Sequence, residues 1–246
     1  MSIPKIIHYC WFGGGPISAE SQKCMESWKK YCPDYKIMAW NEQNFDISTN
    51  RYAQQAYEAK KYAFVSDYVR LAVLYEYGGI YLDTDVELVR PLDELLELPG
   101  FMGFQNNNEV ATGLGFGARK GNSVVQALLR DYDALDFLKA DGSADLTPCP
   151  ERNTRVLQAM GVRKDGTRQS IAEMEIFPAE YFCPMDLYSR KLRVTPKTYS
   201  IHRYAESWKP KPSAVSRILQ RLLKKHYYTW YCPLRGRIEG RLRKRP

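Results

Sequence analysis

A chain of 246 residues that is 44% hydrophobic and 26% charged has material for an ordinary buried core, which argues against disorder and suits one large domain with a short extension. Its net charge of +8 is uneven: Arg217 to Pro246 holds ten Lys/Arg against Glu239 alone, and the remainder sums to about −1. The body therefore exerts no general pull on polyanions and matches no nucleic-acid module, which weighs against a nucleic-acid partner. Cys10, Cys24, Cys32, Cys149, Cys183 and Cys232 form no C-x-x-C pair, which argues against a zinc site and for reduced, buried thiols in a cytosolic protein. No stretch reads as a signal peptide or approaches the roughly 18 apolar residues of a membrane span.

In chain order, Lys5 to Phe12 is an apolar run closed by Gly13-Gly14-Gly15-Pro16, a strand entering a loop. Ser21 to Tyr31 has helical patterning, Tyr35 to Trp40 reads as a second strand ending at Asn41, and Arg51 to Tyr77 reads as one long helical stretch. This alternation predicts a parallel α/β sheet. Within the helical stretch Asp67 and Arg70, three residues apart, share a face and are placed to act on one ligand. Gly78-Gly79 stops the helix. Ile80-Tyr81-Leu82 then forms a buried strand that runs into Asp83-Thr84-Asp85. In an extended segment both carboxylates point the same way, a hard-oxygen pocket suited to Mg²⁺ or Mn²⁺ bridging a diphosphate, with a loop carboxylate pair capping a turn as the competing reading. The second Asp-x-Asp, Asp131 and Asp133, falls in a helical pattern where i and i+2 diverge, and reads as solvated surface.

The run Ser66-Asp67-x-x-Arg70, then Leu-x-x-Leu-Tyr-x-x-Gly-Gly-x-Tyr-Leu-Asp-x-Asp ending at Asp85, with Lys5-Ile6-Ile7-His8-x-x-Trp11 upstream, resembles the DXD-containing sugar transferases of glycosyltransferase family 32. That family includes bacterial capsular polysaccharide enzymes and yeast initiating mannosyltransferases, with the clostridial glucosylating toxins as distant relatives. The resemblance implies a GT-A fold, a Rossmann-like nucleotide-binding sheet with helices on both faces. It also implies a metal-dependent, retaining transfer of a hexose from a nucleotide sugar, UDP-sugar favoured, to a glycan or lipid-linked acceptor in surface polysaccharide synthesis. A catalytically silent sugar- or lipid-binding relative is the alternative.

Position by position, the resemblance gives Asp83 contacts to donor and metal, Asp85 direct metal ligation, and Asp67 and Arg70 contacts to donor ribose and sugar. Arg70 joins Asp83 and Asp85 as a catalytic candidate. Trp11 matches an aromatic that stacks on the nucleobase, with a core tryptophan as its competing reading. Near the other end, Tyr199 to His202 and Ala205 to Trp208 are similar to the family's closing segment. His202 is there a candidate third ligand or diphosphate contact, against a purely structural role, and Ser207 and Trp208 are candidates to cover the phosphates. Asn106 and Asn107 suit sugar hydroxyls, or form a turn.

The expected division is a glycosyltransferase domain over 1–212 and a basic extension over 213–246. In the extension Val215, Ile218, Leu219, Leu222 and Leu223 form an apolar stripe flanked by Arg217, Arg221, Lys224 and Lys225. This is the profile of a helix lying on an anionic membrane or packed on the domain. The expected partners are thus a nucleotide-sugar donor, a glycan or lipid-linked acceptor and an anionic membrane surface, and the expected place is the cytoplasmic face of a bacterial membrane.

Overall fold

The computed structural model describes residues 2–106, 108–186 and 189–205. The basic extension, Asn107, Ser207 and Trp208 lie outside the described residues. Two compact units divide the described chain: residues 2–185 with 193–205, and residue 186 with 189–192. In the second, the backbone N–H of Arg190 donates to the Asp186 carbonyl at 2.9 Å.

The first unit opens with β1 (Ile6–Cys10), α1 (Ala19–Tyr31) and β2 (Lys36–Trp40). The Ser18 hydroxyl caps α1 by accepting from the Ser21 N–H. Two helices follow, α2 (Arg51–Glu58) and α3 (Tyr62–Tyr77), so the predicted single stretch is broken. The break is a Schellman motif: Lys61 N–H donates to the Ala56 carbonyl and Lys60 N–H to that of Tyr57, both at 2.8 Å. Lys60 takes the left-handed conformation, φ 56°, with no glycine to announce it.

The chain continues through β3 (Gly79–Tyr81), β4 (Val86–Leu88), β5 (Gly100–Phe104), β6 (Val110–Ala111) and β7 (Phe116–Ala118). Then come α4 (Ser123–Asp133), α5 (Cys149–Ala159), β8 (Gln169–Ile171), β9 (Met174–Phe177), α6 (Ala179–Phe182) and β10 (Ser200–His202). The main sheet has the order β2-β1-β3-β7-β5-β9-β8, with β6 paired to β5, and β10 pairs antiparallel with β4. β2, β1 and β3 are mutually parallel, as is β5 with β9, but β7 is antiparallel to both β3 and β5. The sheet is therefore mixed, where strand–helix alternation alone predicts a parallel one.

Alternation along the strands sends side chains to two cores. Cys10, Tyr81, Met102 and Phe116 face α2, α3, α4 and α5, while Ile7, Ile80 and Phe101 face Trp28 of α1 and Phe182 of α6. Helices thus cover both faces. The β1–β3 seam is locked by His8, whose Nε2–H donates to the Gly78 carbonyl at 2.8 Å while its Nδ1 accepts from Trp40 Nε1 at 3.0 Å. Gly79 lies against that ring: a Cβ there would come within 2.8 Å of both His8 Nε2 and the Ile6 carbonyl oxygen, at a φ of 111°.

Asp131 and Asp133 close α4 as expected for a helix surface, Asp131 pairing with Arg155 at 3.1 Å and Asp133 accepting from Asn50 at 3.2 Å.

Candidate functional site

From β1 the chain passes to β2 on one side and then returns to β3 on the other, so the direction of winding reverses between β1 and β3. In open α/β sheets ligands bind outside the carboxyl ends of the strands at such a switch point. Two of the predicted site segments emerge there: the Trp11 loop after β1 and the Asp83 turn after β3.

The acidic segment is a turn and not the predicted extended strand. Val86 N–H donates to the Asp83 carbonyl at 2.9 Å, a three-residue closure, because the chain must leave the main sheet and enter β4. The two carboxylates still converge, since the antiparallel pairing of β10 with β4 sets His202 opposite Val86 and so beside the turn. Ligand atoms of Asp83, Asp85 and His202 lie within 4.8 Å of one another. His202 Nε2 is 3.2 Å from Asp85 Oδ1, while the buried Nδ1 has no partner. Ala205 N–H donates to Asp85 Oδ2 at 2.8 Å. Burial works against ionisation of Asp85, but the His202 charge and these hydrogen bonds prevail and hold its carboxyl down to about 2. Burial likewise opposes a charge on His202, and Asp85 overcomes it, raising the imidazole above its ordinary value. Two carboxylates and one imidazole, close enough to meet one ion and with an imidazole nitrogen unspent, fit a divalent cation of the Mn²⁺ or Mg²⁺ kind.

Behind this surface Arg70 organises Asp83. The α3 periodicity places Asp67 and Arg70 on one face, and the Arg70 Nη2 bridges Asp67 Oδ1 and Asp83 Oδ1, each at 3.1 Å. Its Nε–H donates to the Ser66 carbonyl at 3.1 Å and its Nη1 to the Thr112 hydroxyl at 3.4 Å. Tyr81 donates its hydroxyl to Asp83 Oδ1 at 3.0 Å, with the guanidinium over its ring at 4.8 Å. Arg70 and Asp67 are only 5% and 8% exposed, so most of their polar capacity is turned toward protein and not toward a ligand. Burial pushes the Asp67 carboxyl up to about 6, with the Arg70 charge pulling the other way.

Sequence reasoning passes over several members of this assembly. Tyr81 is readable in retrospect, because i and i+2 on a strand share a side with Asp83. Gly113 accepts the Asp83 N–H at 3.1 Å, and a Cβ on it would fall inside the Asp83 carboxylate, so glycine is required there for proximity. Thr112, Cys149 and Asn153 form a buried cluster, with Asn153 Nδ2 donating to the Thr112 hydroxyl at 3.2 Å and lying 3.1 Å from the Cys149 thiol. No local pattern signals that cluster, since it is assembled from the turn after β6 and from α5.

The remaining sequence-predicted residues fall as follows. Trp11 is half-buried, belongs to neither core cluster, and donates its indole N–H to the Gly15 carbonyl at 2.6 Å. Gly13 has φ 89° and lies on the Tyr62 ring, which leaves no room for a Cβ. Asn106 sits in the exposed turn between β5 and β6, where its amide donates to the Met185 carbonyl at 2.7 Å.

Residues 18–101 match the family described as "Glycosyltransferase sugar-binding region containing DXD motif". The matched span holds Asp67, Arg70, Asp83 and Asp85 and leaves Trp11 and His202 outside. The chain is 29% identical over 55% of its length to inositol phosphoceramide mannosyltransferase 3 of Schizosaccharomyces pombe, but spans only 39% of that protein. It is 25% identical over 85% of its length to an uncharacterised glycosyltransferase of Acanthamoeba polyphaga mimivirus, spanning 84% of it. Among solved structures, the PaToxG glycosyltransferase superposes on 64% of this chain and 69% of its own with a TM-score of 0.47 at 21% identity.

Proposed function

We propose that the chain, which over residues 18–101 matches the DXD-containing sugar-binding region of glycosyltransferases, is a metal-dependent, retaining hexosyltransferase using a nucleotide sugar as donor. The observation that carries this reading is the convergence of Asp83, Asp85 and His202 at the switch point of the sheet. A divalent ion held by these three would stabilise charge on the departing nucleoside diphosphate.

The chain's own residues prepare that site. Arg70 and Tyr81 fix Asp83, and His202 with the Ala205 N–H keeps Asp85 ionised and oriented. Trp11 stacks on the base, Ser207 and Trp208 cover the phosphates, and Asn106 and Asn107 stand as acceptor-side contacts. Arg70 and Asp67 act on the donor mainly through Asp83, given how completely they are buried. Retention by attack on the face that the diphosphate leaves requires no protein nucleophile, and its phosphate oxygen would take the acceptor proton.

The names of the relatives move the transferred sugar toward mannose, with a UDP-linked hexose as the competing donor. The acceptor is a glycan or lipid-linked glycan of surface polysaccharide synthesis, reached at a cytoplasmic membrane face through the basic extension. Among the described residues no helix is long and apolar enough to cross a membrane.

The test is a donor panel, GDP-mannose, UDP-glucose and UDP-galactose with Mn²⁺, following nucleoside diphosphate release. Release from one donor that vanishes with EDTA and in Asp83→Ala/Asp85→Ala is expected. Silence across the panel, together with no Mn²⁺-dependent nucleotide binding by calorimetry, overturns the reading.

A further inference from the structure

From the end of β10 the chain closes around Asp85. His202 presents Nε2 to Asp85 Oδ1 at 3.2 Å, Arg203 N–H donates to the Asp85 carbonyl at 2.9 Å, and Ala205 N–H donates to Asp85 Oδ2 at 2.8 Å. The Arg203 Nε–H also donates to Glu87 Oε2 at 2.7 Å, which ties the run to β4. Between these contacts stands Tyr204, which no sequence motif singles out.

Tyr204 is left-handed, φ 52°, and is the one aromatic residue with positive φ among the described residues. A bulky side chain holds that conformation only where its surroundings over-determine it, and such positions cluster at functional sites. Here the surroundings are built from two sides. On one, the Tyr204 side chain packs against the core that contains Ile80 and Phe182, and its hydroxyl lies 2.8 Å from Sγ of the fully buried Cys183, just beyond α6. On the other, the next residue, Ala205, is hydrogen-bonded to Asp85. Held between them, the Tyr204 ring lies against the His202 imidazole, with centroids 4.3 Å apart and planes at 58°.

The imidazole needs such a neighbour. A metal-binding histidine is ordinarily oriented by a hydrogen bond to its other ring nitrogen. His202 has Nε2 on Asp85 and a buried Nδ1 without a partner, so no hydrogen bond from outside the acidic site fixes the plane of its ring. Contact with a ring that is itself anchored in the core does that work instead.

We infer that Tyr204 is a positioning residue for the candidate metal site, its ring setting the plane in which His202 meets the ion. The inference rests on the reading of Asp83, Asp85 and His202 as a metal centre.

The experiment titrates Mn²⁺ alone into the full chain and follows the free ion by electron paramagnetic resonance. The chains compared are the wild type, Tyr204→Phe, Tyr204→Leu, Tyr204→Gly, His202→Ala and Tyr204→Leu/His202→Ala, with a thermal melt of each to check the fold. Glycine accepts a positive φ without cost, so Tyr204→Gly keeps the turn and removes the ring, while leucine fills the same space without a flat face. Tyr204→Phe, which loses only the hydroxyl contact, is expected to stay within about threefold of wild-type affinity. Tyr204→Leu and Tyr204→Gly should each bind Mn²⁺ about tenfold or more weakly, the usual cost of losing the group that orients a ligand. Because the effect passes through His202, adding Tyr204→Leu to His202→Ala should change affinity by less than about twofold. Wild-type affinity in Tyr204→Leu and Tyr204→Gly, a loss in Tyr204→Phe as large as theirs, or a full loss that persists without His202 overturns this inference and leaves the metal reading intact. A wild type that takes up no Mn²⁺ brings down the metal reading, and this inference with it.

Discussion

Gly113 shows how closely the candidate metal site is fitted. The carboxylate of Asp83 occupies the space that a β-carbon at position 113 would need, and Arg70 Nη1 is 3.2 Å from the same point. Gly113→Ala should therefore displace Asp83 from the Arg70 and Tyr81 contacts without unfolding the sheet. A displacement of about 1 Å in such a constellation costs about a hundredfold in rate. Donor turnover should fall by at least that factor while the melting temperature moves by a few degrees, and a variant with unchanged turnover would show that Asp83 can relax at no cost. The Asp-x-Asp triplet alone leaves Asp83 and Asp85 open to a turn-capping role, and it is the whole run from Ser66 to Asp85, resembling the sugar transferases, that marks them as candidates. Gly113, Thr112, Cys149 and Asn153 were not legible, because each acquires its meaning from a neighbour 30 to 42 positions away in the chain.

Among the elements, the joint between β1 and the end of α3 carries a pH dependence. Burial drives the His8 pKa down to about 4 from its ordinary 6.5, with the Gly78 carbonyl opposing. The neutral ring is also required chemically, since Nδ1 accepts from Trp40 and protonation would remove that bond. The unfolded chain therefore binds the extra proton between these two values. The stabilisation is complete above pH 6.5 and is lost progressively as pH falls toward 4, amounting to about 2 kcal/mol between pH 7.5 and pH 5. Urea unfolding at those two pH values should reveal it as the part of the slope that His8→Leu removes. The comparison with the variant is needed because His202 and Asp67, both raised in the fold, contribute with the opposite sign.

The α2–α3 break makes a second expectation. Lys60 holds a conformation that costs a side-chain-bearing residue about 1–2 kcal/mol, partly offset by the entropy a glycine would lose. Lys60→Gly should raise stability by about 0.5–1 kcal/mol in chemical denaturation, and a loss of stability would mean that the lysine side chain contributes packing of its own. This break was illegible beforehand for the same reason. The apolar spacing runs on unbroken, and neither glycine nor proline marks the turn. The ends of β1 and β2, α1 and the stop at Gly78-Gly79 were readable, since each combines periodicity with a local terminator.

The first unit as a whole is a mixed sheet between two helical layers, and its parallel half was more accessible to sequence reasoning than its other half. Alternating strands and helices specify β1, β2 and β3, whereas the reversed β7 depends on a long-range pairing with both β3 and β5. The two layers also bury all five described cysteines. Burial lifts the thiols of Cys10 and Cys149 to about 12 and those of Cys24 and Cys32 to about 11, so these four offer no thiolate near neutrality. A disulfide reagent at pH 8 should leave these positions unlabelled in the native chain, as read by mass spectrometry, and label them after denaturation. Rapid native labelling at Cys10 or Cys149 would mean that the layer behind Asp83 opens on the timescale of the assay.

The pairing of β10 with β4 bears on when the site comes into being. Asp85 and Ala205, which are hydrogen-bonded, are 120 positions apart, and His202 lies only three residues before Ala205. A chain emerging from the ribosome therefore displays the parallel strands, with both aspartates, long before His202 is synthesised. On the proposed reading, tight capture of an ion would wait for that last strand, and the order in which the parts are made would keep an incomplete nascent chain from acting on donor.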